Sequence, residues 1–268
     1  MKRLELICTD LDGTLLGDTV LAEAYHQFGD LVRGAQSNQG TRWAIVTGRR
    51  LVDVRAIVLH FAGYGIRPDF LIVEDALIHW LDRRGGLHGF WWWNFTVMRR
   101  RTTLFRRNNQ QIQHWREMIL AKFPQAADRS RQQVDLWVEF TDEDQAVRAE
   151  ILLKDALGDS HRFAVFRWGR ELFLAPSAGT KGEAVAKLCR AQGIRREHVF
   201  AVGDGPNDLS MLNGQAARYT ACVANALPQV REVVKGAGGY VAAGERMAGV
   251  IESLQVVMGL NAGARTNE

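Results

Sequence analysis

Asp10 and Asp12, separated by one residue, close a short apolar run (Leu4, Leu6, Ile7) and precede Gly13 and Thr14. Residues i and i+2 of a strand share a face, so both carboxylates leave the sheet edge together, and like charges that close repel. A cation between them, or a proton held by one, resolves the repulsion. Gly13 permits a sharp exit from the strand. Standing alone, Asp-x-Asp-Gly reads equally well as a turn. A calcium loop fits poorly, because further ligands are missing at the expected offsets and the glycine comes too early.

Three more segments bear on the choice. The apolar run Trp43, Ala44, Ile45, Val46 ends in Thr47, Gly48 and Arg49, a hydroxyl beside backbone amides that can hydrogen-bond a phosphoryl group. The same Thr also suits a helix N-cap. Lys181, followed by Gly182 and Glu183, would by itself pass for a solvated side chain. A last apolar run, 199–202, ends in Gly203, Asp204, Gly205, Pro206, Asn207 and Asp208, two carboxylates in a Gly-Pro turn. Phosphate-ester hydrolysis is extremely slow without catalysis and needs a nucleophile, a leaving-group acid, cations for the phosphoryl oxygens and usually a metal. Each requirement has a candidate read at a strand's C-terminal end, where open α/β sheets bind ligands.

In this order the four segments resemble the motifs of the haloacid-dehalogenase-like phosphohydrolases. The chain is most similar to their Cof-type and sucrose-phosphate-phosphatase-like branch, which carries a large inserted cap. The resemblance covers about residues 1–82 and 175–254. It implies Asp10 as the nucleophile that forms an aspartyl-phosphate and Asp12 as the acid and base. Thr47, Gly48 and Arg49 would hold the phosphoryl group, and Lys181 would pair with Asp10 and the transferring charge. It further implies Mg²⁺, a hard ion suited to oxygen ligands. Asp204 would bind the ion directly, Asp208 directly or through water, and Asp12 through its backbone carbonyl, with Asp10 opposite completing the oxygen-rich set. Asn207 would orient Asp10 and Lys181, and Asn225 would lie near the substrate. One departure stands out: Glu74, Asp75 and Ala76 occupy a place where relatives often have an Asn-Gly or Gly-Thr turn.

The elements that must position these residues alternate. Strand, helix (21–32), polar stretch (33–41), strand (43–46), helix (51–61) and strand (70–73) open a parallel, doubly wound α/β sheet of Rossmann-like type. The texture changes at Asp82, where Arg83, Arg84, Gly85 and Gly86 read as a linker, and 83–174 is expected to be an inserted α/β cap between two stretches of catalytic core, 1–82 and 175–268. Within the insert the pattern predicts a helix over 110–123 and a strand in which Val134, Leu136, Val138 and Phe140 alternate with Asp135 and Glu139. A helix capped by Thr141 follows to about residue 157, then two strands, 163–168 and 171–174, expected in an antiparallel sheet. After Ala175 come a helix from Lys181 through 190, a strand over 199–202, a helix from Leu209, a strand over 220–223 and a terminal helix over 247–258.

A chain of 268 residues can bury a sizeable core and fits one large domain or two modest ones. The first residues read as neither a secretory signal nor a membrane span. Cys8, Cys189 and Cys222 lack paired metal-ligand spacing, so a reduced, cytoplasmic setting is expected, with Cys8 a small buried hydrophobe rather than a nucleophile. A net charge of +4 suits small anionic substrates and is too weak to argue for nucleic acid. No nucleic-acid or membrane partner is expected, and the chain is read as a monomer or homodimer.

The insert carries Phe90, Trp91, Trp92, Trp93, Asn94 and Phe95, then Arg99, Arg100, Arg101, Arg106 and Arg107. Aromatics can stack on sugar faces and arginines can clamp a second anion. The plainer reading, preferred for most of them, makes the tryptophans cap core or an oligomer interface and the arginines a solvated helix face. Arg167, Trp168, Arg170 and Glu171, at a hairpin turn, are the preferred cap contacts to substrate, Arg167 and Arg170 foremost. The expected function is a Mg²⁺-dependent phosphomonoester hydrolase for a small phosphorylated metabolite, foremost a sugar phosphate. Its rivals are a sugar phosphomutase on the same core and a non-catalytic phosphosugar-binding protein.

Overall fold

The computed structural model describes residues 3–17, 20–82, 84–130, 136–158 and 162–260. Contacts divide the chain into two compact units, Met1–Asn94 with Thr180–Glu268, and Phe95–Gly179.

The first unit is built on a sheet in the order β12-β11-β10-β1-β2-β3-β4-β5. Its centre is β1 (Leu6–Thr9), flanked in parallel by β2 (Arg42–Val46) and β10 (Val199–Gly203). Beyond these lie β3 (Phe70–Val73) on one side and β11 (Tyr219–Cys222) with β12 (Tyr240–Val241) on the other, all parallel. Every residue of β1, β3 and β10 is buried, which is why these strands read as continuous apolar runs rather than alternations. On one face Leu6, Cys8 and Val46 pack with Ala184, Val185 and Leu188 of α6 (Lys181–Gln192). On the other, Trp43 meets Phe28 of α1 (Ala22–Gln39) and Phe61 of α2 (Leu51–Gly63), with ring centroids 5.2 and 5.3 Å apart. Helical cover on both faces makes this the doubly wound α/β architecture that the alternating pattern predicts.

The elements depart from expectation where periodicity is silent. Helix α1 runs on through the polar stretch to Gln39 and ends where Gly40 turns left-handed at φ 65°. After β3 the sheet gains two antiparallel strands, β4 (Leu77–Leu81) and β5 (Leu87–Gly89), so Asp82, Arg84, Gly85 and Gly86 belong to a hairpin loop rather than a linker, while Arg83 lies outside the described residues. The Asp82 carboxylate fixes that loop by accepting the N–H groups of Arg84 and Gly86 at 2.8 Å each. The first unit therefore runs on to Asn94, past the expected division after Asp82. The aromatic and arginine-rich segment is a helix, α3 (Trp91–Arg107). Its tryptophans part company: Trp93 packs against the core of the first unit and donates Nε1–H to the carbonyl of Ala76 at 2.8 Å, whereas Trp91 and Trp92 are exposed. None of the three lies in the core of the second unit.

That second unit carries a four-stranded antiparallel sheet, β6-β7-β9-β8, as expected of the insert. Its strands are β6 (Ala127–Asp128), β7 (Trp137–Glu139), β8 (Phe163–Trp168) and β9 (Glu171–Pro176). Helices α4 (Asn109–Lys122) and α5 (Glu143–Leu157) bury Ile112, Trp115, Ile119, Ala146, Ala149 and Leu153 against Val138, Val165, Leu172 and Leu174. The cap of α5 is Asp142, not Thr141: its carboxylate accepts the Gln145 N–H at 2.8 Å. Val134 and Asp135 of the expected strand lie outside the described residues.

Candidate active site

The four segments meet at the C-terminal ends of β1, β2 and β10 and at the first turn of α6. Parallel pairing of β1 with β2 and β10 brings their ends level, and α6 delivers Lys181 at its first helical position behind a Thr180–Glu183 capping box. Lys181 is fully buried. Its Nζ donates to Asp10 Oδ1 and Asp208 Oδ1, both at 2.6 Å. The other oxygen of Asp208 accepts the N–H groups of Asp204 and Gly205 at 2.9 Å each, so this carboxylate holds its own loop together. Asp204 accepts the Thr14 hydroxyl at 2.7 Å. Gly13, at φ 76°, lies so close that a Cβ there would come within 2.2 Å of Asp204 Oδ2. Glycine is therefore required at this turn by both backbone and space.

Asp10, Asp204 and Asp208 each bring a carboxylate oxygen within 4.8 Å of the others, and all three are buried. The Lys181 ammonium meets only two of these three carboxylates, Asp10 and Asp208. Burial, then Asp208, push the Asp10 carboxyl well above its ordinary range against the pull of Lys181. Burial and Asp208 likewise push Asp204 up to about 7. For Lys181 burial favours the neutral amine, but Asp10, Asp208 and Asp75 outweigh it and its pKa rises, keeping the charge in place. An oxygen-only, buried and under-compensated set of this kind fits a hard divalent cation.

Asp12 is only half-buried. Its two oxygens are held by Arg49, with Nε at 2.7 Å and Nη2 at 2.5 Å. Thr47 is buried, and its hydroxyl accepts the Arg49 N–H at 3.1 Å. It does not cap α2, whose N-cap is Arg50. Asn225 ties two parts of the rim together, donating to the Gly13 carbonyl at 2.8 Å and accepting the Arg246 N–H at 2.9 Å. Asn207 turns to Asp75, donating to Oδ1 at 2.9 Å, and has no hydrogen bond to Asp10 or Lys181 among those described. Arg167 and Arg170 belong to the second unit and are engaged there. Arg167 pairs with Glu143 at 2.7 Å and Glu150 at 2.9 Å, and Arg170 reaches Glu139 at 3.4 Å.

Asp75 is the residue that sequence reasoning passed over. Glu74 and Asp75 both adopt left-handed backbone, at φ 49° and 62°, in the tight β3–β4 turn. Their N–H groups donate to the carbonyls of Arg49 and Thr47 at 2.9 and 3.0 Å. The turn is thus docked on the Thr47 loop, and the Asp75 side chain lies 3.5 Å from where a Gly48 Cβ would stand. The departure at 74–76 was the available signal.

A family model described as haloacid dehalogenase-like hydrolase matches residues 77–244, and the chain belongs to that family. It is 34% identical over 95 residues to a phosphoglycolate phosphatase of Methanothermobacter thermautotrophicus, covering 35% of this chain and 40% of that protein. It is 31% identical over 80 residues to a 5-amino-6-(5-phospho-D-ribitylamino)uracil phosphatase of Bacillus subtilis, covering 30% of this chain and 27% of the relative. Both matches span less than half the length of the relative. Among solved structures, the sucrose-phosphatase of Synechocystis, determined with sucrose and phosphate, shares the fold at a TM-score of 0.66 and 19% identity, over 96% of this chain and 98% of that one.

Proposed function

We propose that this protein is a Mg²⁺-dependent phosphomonoester hydrolase acting on a small phosphorylated metabolite through an aspartyl-phosphate on Asp10. The observation that carries the reading is the buried Asp10–Lys181–Asp208 chain beside Asp204, with Asp12 two residues beyond Asp10 on a separate, half-exposed ion pair. Asp10, Asp204 and Asp208 would hold the ion, with the Asp12 backbone carbonyl as the further ligand the family pattern implies. When bound, the ion supplies positive charge to the phosphoryl oxygens and offsets the crowded carboxylates.

The protein's own groups divide the chemistry. An Asp10 carboxylate oxygen attacks phosphorus as the ester P–O bond breaks, and Asp12 gives the departing alkoxide its proton. Water then attacks the acyl-phosphate phosphorus, Asp12 takes its proton, and phosphate leaves with Asp10 restored as carboxylate. Lys181 holds Asp10 in one orientation and balances the charge that passes through it. Thr47 and the amides around Gly48 offer donors to the phosphoryl oxygens. For Asp12 to reach the leaving oxygen, one of its oxygens must exchange its contact with Arg49. A phosphate dianion competes for the same guanidinium, so substrate arrival itself favours that exchange.

A sugar phosphate is the substrate class we favour. Its support is the likeness in fold to a sucrose-phosphatase together with the motif resemblance. The second unit, as an inserted cap, would set specificity and exclude water. The test is phosphate release from a panel of sugar, polyol, glycolate and nucleoside monophosphates, with Mg²⁺ and with chelator, for the wild type and Asp10→Asn. Metal-dependent release confined to a few sugar phosphates and lost in Asp10→Asn supports the reading. Release that survives Asp10→Asn overturns the mechanism, and isomerised sugar phosphate without free phosphate replaces the hydrolase with a mutase.

A further inference from the structure

The second unit has an open cavity of its own, about 720 Å³, along one face of α3. Phe95, Arg99, Thr103 and Arg107 line it and recur every four residues, so they stand in one row, a turn apart. Arg100 lines the neighbouring row, and Arg162, just before β8, faces the same space. From Arg99 to Arg107 the helix rises about 12 Å. The cavity therefore has two cationic ends, Arg99 with Arg100 and Arg107 with Arg162, separated by an apolar and hydroxyl-bearing middle.

These guanidiniums differ from four others of the same unit. Arg116, Arg129, Arg167 and Arg170 are each paired with an aspartate or glutamate. Among the described residues Arg99, Arg100 and Arg107 have no carboxylate partner, and Arg162 donates only to the neutral Asn108 Oδ1 at 3.3 Å. Helix α3 contains no acidic residue at all. Like charges gathered around one volume repel, and guanidinium forks are the groups best matched to phosphate oxygens. The volume falls within the range of roughly 300–1,000 Å³ typical of small-molecule sites.

We propose that this cavity binds a small ligand carrying two or more phosphate groups, with one anionic group at the Arg99–Arg100 end and another at the Arg107–Arg162 end. A single orthophosphate satisfies one end only. A nucleic-acid strand is the less favoured occupant, because the overall charge of +4 supplies no extended basic track beyond the cavity. The site does not depend on the hydrolase reading.

Isothermal titration of the full chain with inorganic tripolyphosphate, in chelator and at fixed ionic strength, tests the proposal. The expected result is one tripolyphosphate per chain, bound at least about tenfold more tightly than orthophosphate. Arg107→Gln and Arg99→Gln, at opposite ends, should each weaken tripolyphosphate by about tenfold or more, since each removes a charged hydrogen-bond donor. Arg107→Lys should recover part of the loss, and unchanged melting temperatures would show that the variants fold. Binding unaffected by both glutamine variants would place the ligand elsewhere and overturn the site. So would equal affinity for orthophosphate, or a single-stranded oligonucleotide that tripolyphosphate cannot displace.

Discussion

Asp12 and Lys181 separate the chemistry of the site from its electrostatics. If Asp12 protonates the leaving oxygen, Asp12→Ala should slow hydrolysis of an alkyl phosphate by about 10²–10⁴-fold, while p-nitrophenyl phosphate, whose leaving group needs no proton, is spared most of that loss. The ratio of kcat/KM for the two substrates measures this, and equal losses would remove leaving-group protonation as the role of Asp12. Lys181→Met makes a different prediction. It leaves Asp10 and Asp208 buried without the ammonium that meets both at 2.6 Å, and removing one partner of a buried pair costs about 3–5 kcal/mol. Urea unfolding of the metal-free protein should show that loss, and a change under about 1 kcal/mol would mean the carboxylates take up protons instead. Asp10, Asp204 and Asp208 were legible in the sequence because short apolar runs pin their backbone positions, and Lys181 only through its place after the insert in the motif resemblance. The partner of Asn207 was not. It depends on Asp75, whose placement follows from two successive left-handed residues that are not glycine, a conformation that residue type alone does not announce.

At the scale of elements, legibility followed burial. Strand β3 was read to its ends because all four of its residues are buried, whereas β4 mixes Leu, Ile, His and Trp with uneven burial and hides its period. The arginines of α3 were read as a helix face, but its extent over the aromatic residues escaped because Trp91, Trp92, Phe95 and Met98 are exposed and only Val97 is fully buried, so no apolar face marks the helix. The three adjacent tryptophans make this measurable. Trp93→Ala loses core packing and the bond to the Ala76 carbonyl and should destabilise by about 2 kcal/mol or more. Trp92→Ala, at an exposed position, should cost under about 1 kcal/mol. Denaturant midpoints of the two variants check the contrast, and equal costs would contradict the burial pattern. The terminal helix (Arg246–Met258) carries an acid-side prediction. Partial burial raises the Glu252 carboxyl, but hydrogen bonds from Tyr240 Oη at 2.6 Å and from the Ala243 and Gly244 N–H groups outweigh it and hold its pKa below the ordinary value. A carboxylate so lowered adds stability above its unfolded pKa of about 4.3, and that share is lost as pH falls through the folded value. The advantage of wild type over Glu252→Gln should therefore shrink between about pH 5 and pH 3, as read by urea midpoints. An advantage that is constant across that window would show that the carboxylate's charge is not what holds the 240–244 segment.

For the whole molecule, the decisive property is that the acidic cluster and its one ammonium lie entirely within the first unit, while the second unit contains none of these groups. A ligand that binds only the folded state stabilises it by RT ln(1 + [L]/Kd), about 2.7 kcal/mol at a hundredfold excess over Kd. For domains of this size such a gain raises the melting temperature by roughly 5–10 °C. Mg²⁺ should therefore raise the melting of the unit that contains β1 and β10, and chelator should abolish the rise. Asp204→Asn should remove the shift without removing the fold, because its neighbour Thr14 can still hydrogen-bond the amide. If the two units melt separately, the transition of residues 95–179 should not respond to Mg²⁺ but should respond to tripolyphosphate. Calorimetry with each ligand in turn thus reads the two sites independently. A Mg²⁺ shift that persists in Asp204→Asn, or none in the wild type at millimolar Mg²⁺, would refute the assignment of the carboxylate cluster as the metal site.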